Sequence, residues 1–70
     1  MLLEAEYMDW LTRIEAEYRE MPGMQLTARQ MQRLWGFDGS TCAAVVHILV
    51  TRGVLRETPT HRYVLESAGR

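Results

Sequence analysis

Residues 26–53 read LTARQMQRLWGFDGSTCAAVVHILVTRG and hold two helix starts with almost no chain between the helices they open. Thr27 can accept from the amide of Gln30 while the Gln30 side chain reaches back, a capping box. Leu26 and Met31 stand at the staple positions on either side of it. The helix so predicted runs to about Trp35 and buries Met31, Leu34 and Trp35. Gly36-Phe37 turns the chain, with Phe37 pointing inward. Asp38 caps a further helix over 39–52, and Gly53 closes it in the left-handed conformation. Two capped helices joined by so short a turn read as a helix-turn-helix unit.

The flanks must pack around that unit. Leu3, Tyr7, Trp10, Leu11, Ile14, Tyr18 and Met21 recur at spacings of three and four, which predicts a helix over 3–21 with one apolar stripe. Its other face is charged, with Asp9/Arg13 and Glu15/Arg19 in the favourable i,i+4 order. Pro22-Gly23 ends it. After Gly53, residues 54–58 and 62–65 are rich in strand formers, with Pro59-Thr60-His61 as the turn between them. A two-stranded hairpin is not stable alone and has to lie against the helices. Residues 67–70 are expected to fray. The expected fold class is mainly α with a small C-terminal β-hairpin (α+β). It forms one domain over 1–70: an N-terminal helix in 1–22, a helix-turn-helix in 26–53 and a hairpin in 54–66.

A chain of 70 residues buries a modest core. Cys42 is the only cysteine, so no intrachain disulfide can staple it. Two histidines, His47 and His61, and no CxxC pair predict neither a metal nor any other cofactor. Association of two copies is the support left, and the apolar stripe of the first helix is the expected homodimer surface, through Tyr7, Trp10, Leu11, Ile14 and Tyr18. The longest apolar run, Cys42–Val46, is far short of a membrane span. The acidic start MLLEAEYMDW is no export signal, and a lone thiol suits a reducing compartment, so a cytoplasmic location is expected.

Charge is divided along the chain. Residues 1–20 carry six acids and two arginines, a balance of −4, and residues 21–70 carry six arginines and three acids, a balance of +3, which together give the net −1. All eight basic residues are arginine, a side chain suited to bidentate contact with phosphate or guanine.

On a helical wheel with Cys42 at the centre of the buried face, Val45, Val46 and Leu49 lie close beside it. Ser40, Ala44, His47 and Thr51 lie opposite, and Ala43, Ile48 and Val50 on the flanks. Taken together, LTARQMQRLWGFD, STCAAVVHILVTRGVLRET and RYVL over residues 26–65 resemble the winged helix-turn-helix superfamily, in particular the small stand-alone winged-helix proteins of bacteria. The resemblance implies three helices plus a wing and binding of double-stranded DNA, as a bacterial transcriptional regulator. Helix 39–52 would enter the major groove, with the wing and the preceding helix on the backbone.

The residues that would carry this are Ser40, Thr41, Ala44, His47 and Thr51 toward the bases. Arg29 and Arg33 on the second helix, with Arg52, Arg56 and Arg62 toward the wing, would meet phosphates, Thr27 belongs to the same DNA-binding set, and His61 and Arg62 at the wing tip could enter a minor groove. Relatives that bind DNA usually carry several polar or basic side chains on that face, and here it is nearly bare. The alternative is a winged-helix protein-interaction module that uses the apolar flanks Ala43, Ala44, Ile48 and Val50. No catalytic residues are expected: there is no glycine-rich phosphate loop, no Ser/His/Asp arrangement and no carboxylate pair in an evident pocket. Cys42, on the buried face, is expected to serve as a small hydrophobe.

Overall fold

The computed structural model describes residues 4–66; Leu3 and the tail 67–70 lie outside the described residues. A short 3-10 turn (Glu4–Tyr7) leads into α1 (Met8–Glu20), followed by α2 (Ala28–Trp35), α3 (Gly39–Thr51), β1 (Leu55–Glu57) and β2 (Tyr63–Leu65). The chain is therefore mainly helical with a small antiparallel sheet at its C-terminal end.

The helix ends follow their local chemistry. Thr27 Oγ1 accepts from the Gln30 amide at 3.1 Å, and Gln30 Oε1 accepts from the Thr27 amide at 2.9 Å. Gly36, at φ 72°, ends α2, and its amide donates to the Gln32 carbonyl at 2.8 Å. Asp38 Oδ1 accepts from the Thr41 amide at 2.8 Å and starts α3. At the far end the amides of Gly53 and Val54 donate to the carbonyls of Val50 and Leu49 at 3.0 and 2.9 Å, a pairing that needs the left-handed Gly53 at φ 80°. The axes of α2 and α3 meet at 111°.

The hydrogen bonds from Thr41, its backbone N–H before its side chain, hold the Asp38 carboxyl below the ordinary carboxylate value. A depressed folded-state pKa stabilises the fold above the unfolded value of 3.8. That contribution is lost as pH falls through the folded pKa. We expect the wild-type Tm to exceed that of Asp38→Asn near pH 7, and the gap to close below about pH 4. Circular dichroism melts across that range check this, and a gap independent of pH contradicts it.

The core is built from Leu11, Ile14 and Tyr18 of α1, Met31 and Trp35 of α2, Phe37 in the turn, five side chains of α3 and Leu55 of β1. Trp10 meets the Phe37 ring edge-on at 4.8 Å, and Trp35 lies 6.2 Å from Phe37 and 6.5 Å from Tyr18. The burial of Leu11, Ile14 and Tyr18 corrects the expected homodimer surface. These three are spent inside their own chain, and only Tyr7 and Trp10 remain partly exposed. Met21, expected on the same stripe, is 62% exposed beyond the end of α1. Leu34, expected in the core, is 52% exposed. On so short a helix the pair Met31 and Trp35 fills the inward face, and Leu34 is rotated roughly 100° from Trp35. On the outer face of α1, Glu15 pairs with Arg19 at 2.7 Å as expected. Arg13 instead reaches Glu17 at 3.4 Å, with its guanidinium 5.7 Å from the Trp10 ring.

α3 is turned from its expected orientation. It packs against α2, α1 and β1 at once, so more than half of its circumference is buried. The centre of the buried arc falls on Val45, roughly 60° round from Cys42. Ala44 (8% exposed) and Ile48 (3%) are therefore core residues, while Ala43 and Val50 face outward.

In the hairpin Leu55 pairs with Leu65, Arg56 with Val64 and Glu57 with Tyr63. The turn runs Thr58-Pro59-Thr60-His61, closed by the His61 amide donating to the Thr58 carbonyl at 2.9 Å. His61 takes the left-handed conformation at φ 62°, a place where glycine is favoured. One contact had no sequence signal: Leu26 bridges to Tyr63, with amide-to-carbonyl bonds of 3.2 and 2.7 Å. The Tyr18 hydroxyl donates to that same Tyr63 carbonyl at 2.7 Å, and burial pushes its pKa well up. Tyr18→Phe leaves the carbonyl with its Leu26 partner, so the expected loss is about 1 kcal/mol, or about 4–8 °C in Tm. An unchanged melt contradicts this.

Candidate functional site

No residue of α3 is charged. Its outward face carries Ser40, Ala43, His47, Val50 and Thr51, all exposed, with Val50 at 40%. Beside this face lies a groove of about 410 Å³ between α3 and the hairpin. Cys42, Ala43, Val46 and Val50 give it an apolar lining, and His47 and Thr51 add polar groups from α3. Ala28 and Gly39 contribute from the helix starts, and Glu57 and Tyr63 form the wall on the hairpin.

The strand register explains that wall. Glu57 and Tyr63 are cross-strand partners and so share a face of the sheet. His61 Nδ1 stands 3.0 Å from the Glu57 carboxylate. The Tyr63 phenol is shifted upward, first by burial and then by the charge of Glu57. Arg56 and Val64, the neighbouring pair, take the opposite face. Arg56 there lies 3.5 Å from Glu66, on the sheet face away from the α3 groove. At the base of the groove Cys42 donates to the Ala28 carbonyl at 3.6 Å, and burial raises its thiol pKa. It is a buried small side chain, as its place in the pattern implied.

Of the side chains singled out in the sequence, His47 and Thr51 line the groove, and Ser40 is exposed at the start of the same face. Three others do not join them. Thr27 Oγ1 is engaged by the Gln30 amide, Thr41 is half-buried, and Ala44 is in the core. Arg29 and Arg33 are exposed one turn apart on α2, away from its core face. Arg62 is exposed at the hairpin tip, where Thr58 Oγ1 accepts from its amide at 3.2 Å. None of these three arginines makes an ion pair among the described residues. Sequence reading placed Val50 on a flank and gave Glu57 and Tyr63 no role. Counting alternation outward from the turn would have put the latter two on one face.

Among the described residues no three His, Cys, Asp or Glu side chains are grouped to hold a metal ion, and no single helix is long and apolar enough to cross a membrane. No family model, no curated protein and no solved structure matches the chain.

Proposed function

We propose that this domain binds double-stranded DNA as a winged helix-turn-helix, acting as a cytoplasmic bacterial transcriptional regulator or the DNA-contacting part of one. α3 enters the major groove, and Arg29, Arg33 and Arg62 meet the backbone on either side. The observation that carries this reading is the arrangement of α2 and α3, two capped helices crossing at 111°, with Ser40, His47 and Thr51 exposed on the outward face of α3. Helix-turn-helix units cross at about 90–120°. A helix of 13 residues is about 20 Å long, and a B-form major groove about 12 Å wide admits it. The Leu26–Tyr63 bridge fixes the hairpin beside it.

Fluorescence anisotropy with a labelled random duplex tests the reading. Binding is expected at about 50 mM salt and should fall steeply by about 200 mM, because it rests on counterion release. A flat trace at the low salt concentration overturns it.

One observation favours a second reading, a protein-interaction module. The groove lining is apolar, and the one carboxylate on its wall, Glu57, repels phosphate. In that case no duplex binds at any salt concentration.

A further inference from the structure

We infer that α3 recognises the C5-methyl groups of pyrimidines in the major groove, so that thymine or 5-methylcytosine, and not guanine, gives the domain its sequence preference. The inference rests on the DNA-binding reading above and names what that face reads.

The outward face excludes the strongest base readers. Bidentate recognition of guanine needs Arg or Lys, and that of adenine needs Asn or Gln. α3 holds none of the four over its whole length. Its exposed polar groups are two hydroxyls, Ser40 and Thr51, and the His47 imidazole, each a single-point partner. Between them stand the methyls of Ala43 and Val50, one helical step from His47 in either direction, and both line the groove. The recess beside them is lined by Cys42 and Val46 as well, with Tyr63 and the single carboxylate of Glu57 on its hairpin wall. Short side chains let the helix backbone come close to the base edges, where long ones would hold it off.

Among the base-edge groups of the major groove, the C5-methyl is the apolar one. Outside α3, the side chains able to hold phosphates, Arg29, Arg33 and Arg62, are exposed and unpaired among the described residues. The chemistry is thus divided: charge for the backbone from α2 and the hairpin, methyl against methyl from α3. His47 adds one hydrogen bond to a neighbouring purine N7.

The test compares four duplexes of one length by anisotropy at low salt: A·T-rich, the same with every thymine replaced by deoxyuridine, G·C-rich, and the same with every cytosine replaced by 5-methylcytosine. Deoxyuridine keeps all hydrogen-bonding groups and removes only the methyl. About fourfold weaker binding is expected per contacted methyl, hence roughly tenfold or more where two are contacted. If only the uridine exchange changes affinity, thymine is the source. If methylated cytosine also binds more tightly than cytosine, both sources serve.

Val50→Ser and Ala43→Ser remove the apolar groups at exposed positions and should narrow the thymine-to-uridine ratio measured within each variant. Equal binding to the thymine and uridine duplexes overturns the inference and leaves DNA binding intact. An undiminished ratio in the Val50→Ser, Ala43→Ser double variant overturns the assignment to this face. Failure of all four duplexes to bind overturns the DNA-binding reading itself.

Discussion

Ala44→Glu should destabilise the domain by about 2–4 kcal/mol, while Leu34→Glu, ten residues earlier, should change its stability by no more than about 0.5 kcal/mol. Ala44 is 8% exposed on the side of α3 that packs inward, and Leu34 is 52% exposed on α2. A glutamate at position 44 has to force its carboxylate past the packed core with no basic partner there, since no charged side chain is buried among the described residues. A domain of 70 residues holds a total stability of only about 3–10 kcal/mol, so Ala44→Glu should remove a large fraction of it. Urea titration followed by circular dichroism measures both variants. Wild-type stability in Ala44→Glu would put Ala44 on the outer face and return α3 to the orientation its sequence suggested.

The triple variant Arg29→Ala, Arg33→Ala, Arg62→Ala should weaken binding to every duplex by roughly 10²–10³-fold at about 0.1 M salt. The slope of log affinity against log salt should become shallower by about 2.7. Both figures follow from one quantity, three phosphates no longer neutralised, and they must change together. The fold should survive, because all three side chains are exposed and make no ion pair among the described residues. Arg56→Ala is the internal comparison. With Arg56 on the opposite sheet face beside Glu66, its loss should leave the slope nearly unchanged. A slope that stays constant in the triple variant while affinity falls would mean that these arginines act through something other than phosphate.

The helix ends were legible in the sequence because each is decided within four residues. Thr27 with Gln30, Asp38 with Thr41, and the two glycines at 36 and 53 require nothing from the rest of the chain. The orientation of α3 was not legible. With Cys42 taken as centre, two facing neighbours would have sufficed, but α3 has three, and the third draws Ala44 and Ile48 inward. That rotation took Ala44 out of the outward face and brought Ala43 and Val50 in beside Ser40, His47 and Thr51. The first helix misled in the other direction. Its aromatic stripe looked too large for one small chain, yet Trp35, Phe37 and the hairpin take up Leu11, Ile14 and Tyr18 completely. The Leu26–Tyr63 bridge had no periodic signal at all, being a single residue pair set by tertiary packing.

Tyr63 is joined to Leu26, Glu57 and the Tyr18 hydroxyl, so one strand residue ties together segments from both ends of the chain. The α2–α3 contacts are local and cheap in loop entropy, whereas the bond between Tyr18 and Tyr63 spans 45 residues. The groove beside α3 has Tyr63 in its wall, so its shape depends on that long-range closure, and a partner that fills it also steadies the seam between hairpin and helices.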